Sequence, residues 1–231
     1  MEKKIIFWVI SLSVVAVALA VLLPGGRKVD SDPKLPWDIQ VNANNEIQVF
    51  NLTLNKSLLP EARQIFQNQG KVNLFVGTDG QPALEAYFER VFLSGLRADF
   101  ILALKADQTL LNQLVERGSR ISRTSDTTHK IVLGSDDLQI AEQLPIEVIN
   151  YIPAANLDEE LINSRFGEPT DKIVETETGV THWIYPDRGM IIGLNPEGKE
   201  LIQYMPLERI QGLVEQIRNS NAQYAEKMKS S

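Results

Sequence analysis

Residues 84–104 read LEAYFERVFLSGLRADFILAL, and this stretch decides the fold class. Leu84, Ala86 and Phe88 alternate with Glu85, Tyr87 and Glu89, the period of two expected of a half-buried strand. Ser94-Gly95 marks a tight turn. Ala98, Phe100, Leu102 and Leu104 then alternate against Arg97 and Asp99. Two alternating runs about a glycine turn predict an antiparallel hairpin.

On the N-terminal side, residues 58–68 set Leu58, Ala62, Ile65 and Phe66 on one helical face. Ser57 is placed to cap that helix, Pro60 suits its first turn and Gly70 its stop. Residues 47–54 and 71–76 read as strands, with Thr78-Asp79-Gly80-Gln81-Pro82 as a turn. Beyond the hairpin, Leu110, Leu111, Leu114 and Val115 predict a helix over 108–117 that stops at Gly118. A polar loop is expected over 119–130, a helix over 136–144 capped by Ser135, and a strand over 147–152 ending at Pro153.

The second half repeats the plan. A helix runs from the capping-box-like Asn156-Leu-Asp-Glu159 to Phe166 and stops at Gly167. Strands follow over 173–176, 180–185, 190–194 and 201–205, separated by turns at Thr178-Gly179, Asp187-Arg188-Gly189 and Pro196-Glu197-Gly198. Leu207, Ile210, Leu213, Val214 and Ile217 form one face of a last helix. The expectation is an α+β protein with two tandem helix-plus-antiparallel-sheet lobes, 47–153 and 154–218, after a linker over 29–46 and before a frayed polar tail over 219–231.

The N-terminus has another character. Residues 5–23 carry no charge, and at about 1.5 Å per residue they span roughly 28 Å, close to the ~30 Å of a bilayer core. Lys3 and Lys4 precede the run, Arg27 and Lys28 follow it, and Trp8 suits an interface. Residues 1–28 therefore read as a transmembrane anchor with its flanks, making the lipid bilayer a partner through 5–23. A cleaved signal peptide is the competing reading, because Ala18-Leu19-Ala20 has the A-x-A pattern, although Val21 to Leu23 continue the apolar run. A buried helix of a cytosolic protein is the third.

A short N-terminus before a large domain points to a bacterial inner-membrane protein with a periplasmic soluble part. The chain of 231 residues carries −7; its first 28 residues carry four basic and one acidic side chain, which leaves −10 for the rest. That balance argues against nucleic acid or anionic lipid as the main partner of the soluble part. The absence of cysteine excludes disulfides, zinc–thiolate sites, cysteine nucleophiles and a lipidated N-terminal cysteine.

Residues 154–205 resemble the small outer-membrane assembly lipoproteins of the SmpA/OmlA type. The resemblance lies in Phe166-Gly-Glu-Pro169, in Gly179-Val-Thr-His-Trp-Ile-Tyr185 and in Gly193-Leu-Asn-Pro-Glu-Gly-Lys-Glu-Leu-Ile-Gln-Tyr204. It implies the helical-pair-plus-sheet fold, seen in tandem in the beta-lactamase inhibitor protein, and a non-catalytic binding role. That family is anchored through a lipidated cysteine, which this chain lacks. More loosely, the whole chain resembles proteobacterial membrane-anchored proteins.

Signatures of chemistry are missing. The sequence contains no G-x-G-x-x-G, no P-loop, no G-x-S-x-G and no H-E-x-x-H. His129 in a polar loop and His182 in a strand do not suggest a metal site, and no cofactor is expected. Asp136-Asp137 and Asp158-Glu159-Glu160 lie in first turns of predicted helices, where carboxylates favour the helix dipole. Trp183 and Tyr185 share one face of a strand; they form a partner surface if that face is open, and core if it is not. The expected function is a non-catalytic, single-pass membrane-anchored protein-interaction module binding an envelope protein. A small-molecule-binding domain with a cleft between its lobes is the alternative, and a hydrolase is the most remote.

Overall fold

The computed structural model describes residues 32–77, 80–118, 120–123 and 129–229. Its folded unit runs from Lys34 to Ser231. The anchor expected over 5–23, and the A-x-A pattern of the competing reading, lie outside the described residues. Among those described, no helix is long and apolar enough to cross a membrane.

The chain is α+β. Strands β1 (Gln40–Val41), β2 (Ile47–Val49) and β3 (Leu52–Thr53) form a small sheet. Helix α1 (Leu59–Phe66) leads to β4 (Lys71–Val76), β5 (Pro82–Leu93) and β6 (Leu96–Leu104). Next come α2 (Gln108–Arg117), β7 (Arg120–Arg123), β8 (His129–Val132), α3 (Ser135–Glu142) and β9 (Ile146–Pro153). Then α4 (Glu159–Phe166) precedes β10 (Asp171–Val174), β11 (Thr181–Tyr185), β12 (Met190–Leu194) and β13 (Leu201–Tyr204), and α5 (Leu207–Lys229) closes the chain.

The main sheet has ten strands in the order β10-β11-β12-β13-β9-β6-β5-β4-β8-β7, and the pairs are antiparallel. The second half supplies α4 and the four-strand meander β10-β11-β12-β13; the first supplies α1 and the neighbouring strands β4-β5-β6-β9, with α2, β7, β8 and α3 inserted between β6 and β9. Strands β9 and β13 pair with each other, so the sheet is continuous. One row of paired residues crosses seven strands: Lys172, Trp183, Ile192, Ile202, Tyr151, Phe100 and Phe88. Six of these seven are buried, and each large apolar side chain buried in full contributes roughly 1.5–3 kcal/mol. Gly70 stands next to the row, where its φ of +62° and the Phe88 ring 2.7 Å from the place of a Cβ leave room only for glycine.

Helices α1 and α4 cover this face. The opposite face carries a second apolar cluster, Val148, Ile184, Ile191 and Met205, under Ile210 of α5. Beyond it that face turns polar through Gln203, whose Nε2 donates to Asn150 Oδ1 at 2.8 Å.

The predicted hairpin forms, with Ser94 and Gly95 at φ +48° and +89° in its two-residue turn. Five expectations change. The strand expected over 47–54 is split by a turn at Phe50 and Asn51, both at positive φ. A left-handed phenylalanine is strained, and packing compensates: its ring stacks on Tyr151 at 5.5 Å and meets Phe100 edge-on at 5.1 Å. The stretch expected as linker over 29–46 is partly structured, because Pro36 is buried and its carbonyl accepts the Tyr204 hydroxyl at 2.7 Å. The loop expected over 119–130 contains the β7–β8 pair.

The helix caps also differ. Asp158, not Asn156, caps α4 by accepting from Leu161 N, and Gly134 precedes α3 in place of Ser135. A box-like cap forms on α1, where Glu61 accepts from Leu58 N at 3.1 Å and from Ser57 Oγ at 2.8 Å. Finally, α5 continues through most of the expected tail. Asn221 binds both Val174 O and Thr176 N at 2.7 Å, and Arg218 pairs with Asp171 at 2.8 Å, holding the helix to the β10 edge.

Candidate functional site

The proposed partner surface at Trp183 and Tyr185 is corrected by the structure. Trp183 is 0% and Tyr185 4% exposed. Both face the α1–α4 side, while Ile184, on the other side of the strand, is buried under α5. Helices cover both faces here, so neither half of the alternation is open. Lys172 Nζ sits 3.4 Å from the Trp183 ring centre, and the Tyr185 hydroxyl donates to Gly167 O at 2.9 Å. Burial pushes the Tyr185 phenol up to about 12.

The other candidate residues take structural places. His182 lies 3.8 Å from Glu175, beyond a hydrogen bond, and burial lowers its pKa despite that carboxylate. His129 is exposed on β8. Asp137, 5% exposed in the first turn of α3, binds Arg117 of α2 at 2.7 Å. Asp158 caps α4, and Glu159 reaches Lys172 at 3.3 Å. Among the described residues no group of three or more His, Asp or Glu is placed to hold a metal.

What the molecule does offer is a recess beside Phe166. The hairpin turn is its first wall. Ser94 Oγ accepts from Lys34 N at 2.7 Å, and Arg97 O accepts from Ala154 N at 2.9 Å. That turn therefore fixes both the incoming segment and the connection after β9. Pro36 is held by Tyr204, and Trp37 meets Phe166 edge-on at 6.2 Å. Helix α4 adds Leu161, Ile162 and Arg165, and the sheet floor is Tyr151 and Ile202. These elements enclose about 320 Å³ with a mainly apolar lining.

Its polar groups are few. Tyr151 is 5% exposed, and burial pushes its phenol up to about 12. The Arg165 guanidinium lies 4.8 Å over the Trp37 ring. Arg97 borders the wall, but it alternates with the buried Ala98 and Phe100, so its exposed side chain leaves β6 on the other face. An apolar recess of this size is within the usual range for a small-ligand site.

Sequence reasoning allowed a cleft between the lobes but named none of the residues of this recess. The available signal was the apolar cluster Leu35, Pro36, Trp37 and Ile39 inside the stretch taken for a linker, together with the small pair Ala154-Ala155 at the junction of the halves. Comparison of the chain with protein-family models, with curated proteins and with solved structures finds no match.

Proposed function

We propose that this chain is a non-catalytic binding module of the bacterial cell envelope, held at the inner membrane through residues 5–23 with its folded part in the periplasm, and that the recess beside Phe166 takes a small apolar ligand. The recess carries the reading. Its walls are fixed by hydrogen bonds, its floor belongs to the sheet, and it lies where the two halves meet, the place expected of a cleft between lobes. The tether is short: Leu23 and Pro36 are 13 positions apart, at most about 45 Å of extended chain.

A neutral probe tests this. Decanol added to the full chain in nanodiscs should raise the unfolding temperature, since binding to the native state stabilises by about 2.7 kcal/mol at 100 times Kd. Ala155→Trp, at the exposed rim, should remove the shift. A shift that survives Ala155→Trp, or none in the parent chain, would refute the site.

A second reading is the interaction module for an envelope protein. Leu161, 38% exposed on the rim, favours it by offering an apolar contact beside the recess. A photo-crosslinking residue at position 161 should then capture one envelope protein in cells, and Ala155→Trp should abolish the capture.

A further inference from the structure

We infer that the β5–β6 turn rests on the bilayer that holds the anchor, with the Phe92 ring in the lipid interface and the Arg97 guanidinium at the lipid phosphates. The inference rests on the membrane-anchored reading above and adds which surface of the folded part meets the lipid.

The entry of the chain supplies the first argument. The folded unit begins at Lys34, whose backbone N donates to Ser94 Oγ at 2.7 Å, so the chain enters that unit at the β5–β6 turn. Leu23 and Lys34 are 11 positions apart, at most about 40 Å of extended chain. Ten strands at about 4.8 Å spacing make the main sheet roughly 43 Å wide. A tether no longer than the sheet is wide favours contact by the end that it joins.

The turn supplies the second. Phe92, two residues before Ser94, is 56% exposed. Every other aromatic side chain among the described residues is buried or half-buried. A single exposed apolar residue is ordinary on a protein surface. Its place beside the entry of a membrane tether gives this one a use, because an aromatic ring at the headgroup level leaves water at little cost.

The partner of Phe92 supplies the third. Phe92 stands opposite Arg97 across the hairpin, and the two leave the sheet on one face, away from the buried Val91, Leu93 and Ala98. A long side chain of this kind lays its methylenes along apolar surface and keeps its charge among the phosphates. The next side chain of β6 on that face, Asp99, is acidic, but it accepts from Arg90 N at 2.7 Å and from the Tyr87 hydroxyl at 3.3 Å. Its carboxylate is thus engaged within the hairpin. The first 33 residues hold four basic and three acidic side chains, +1 of the total −7, which leaves −8 for residues 34–231. On so acidic a unit an exposed arginine beside the tether helps to turn this end toward the phosphates.

The chain has no cysteine, so a single introduced cysteine takes a nitroxide label at one place. The test labels Phe92→Cys and, separately, Val174→Cys in the full chain, in nanodiscs of phosphatidylcholine and phosphatidylglycerol. The two positions are matched, since Phe92 and Val174 are both 56% exposed. Their strands, β5 and β10, stand six places apart in the sheet, about 29 Å. Collisions with oxygen, which concentrates in lipid, and with a water-soluble nickel chelate report where each label sits. The ratio of oxygen to nickel collisions should be several-fold higher at position 92 than at 174. Both positions carry the same label, so its own affinity for lipid does not produce the difference. Arg97→Glu in the chain labelled at 92 should lower the ratio toward that at 174, and Arg97→Lys should preserve most of it.

Equal ratios at the two positions overturn the inference and leave the anchor standing. So does a label at 92 shielded from both reagents, which would mean that a second copy of this chain covers the turn. A ratio at 92 that Arg97→Glu leaves unchanged overturns the part assigned to the arginine. Failure of the chain to enter nanodiscs sinks the anchor reading and this inference together.

Discussion

Helices α1 and α4 end on Phe66 and Phe166, 100 positions apart, and both rings are 3% exposed. Their surroundings differ. Phe66 stacks on Phe100 at 4.3 Å and meets Phe88 edge-on at 5.2 Å. Phe166 meets Trp37 edge-on at 6.2 Å, and a recess of about 320 Å³ lies beside it. The row of paired residues gives the reason. It presents Phe88, Phe100 and Tyr151 on the first half, and Trp183 with the smaller Ile192 and Ile202 on the second. The connection after β9 adds the small Ala154 and Ala155 beside Leu157. Similar helices can therefore seat similar rings, one in a filled core and one against open space, according to what faces them.

The contrast predicts unequal cavity costs. Phe66→Ala should destabilise by about 3–5 kcal/mol, the range for a phenylalanine removed from a close-packed core. Phe166→Ala should cost at least about 1 kcal/mol less, because its ring already borders empty volume. Urea titration of the full-length variants measures both, and equal costs would break the comparison.

A smaller effect should sharpen it. Tyr204→Phe removes the 2.7 Å bond to Pro36 O, the contact that holds one wall of the recess. The loss should be about 1 kcal/mol, as for an average buried hydrogen bond. Decanol binding should weaken with it, since Pro36 and Trp37 both line the site. Unchanged binding would show that this contact does not shape the recess.

The smallest effect concerns the other face of the first half. Burial holds the Glu85 carboxyl above its ordinary value of 4.5. The folded state then keeps that proton more tightly than the unfolded state does. Its contribution to stability is full below about pH 4.5 and is lost as pH rises through the raised value. Glu85→Gln should therefore stabilise the protein at neutral pH, and the gain should vanish below pH 4.5. Unfolding curves at both pH values check it; a gain that persists in acid would point to a cause other than the charge.

Much of the strand content was legible because alternation is a strong local signal. Leu84 to Phe88 and Ala98 to Leu104 point alternately in and out as expected, and the turn between them formed at Ser94-Gly95. The break at Phe50 was not legible, because no local preference puts phenylalanine at a φ of +54°; aromatic neighbours from β6 and β9 stabilise it. The continuation of α5 was hidden for a similar reason. Residues 219–229 have little apolar patterning, and it is Asn221, bonded to the β10 edge, that ties them down.

Side-chain periodicity is a property of neighbouring residues, so the helices and strands follow from the order of the amino acids. Coverage and vacancy are properties of residues far apart in the chain. The alternation of Trp183, Ile184 and Tyr185 distinguishes two faces, but only the docking of α4 on one and α5 on the other makes both of them core. The recess likewise needs Trp37, Leu96, Tyr151 and Arg165 from four separate segments. No short window of sequence contains that meeting, and it arises when β9 and β13 pair and bring the halves onto one sheet.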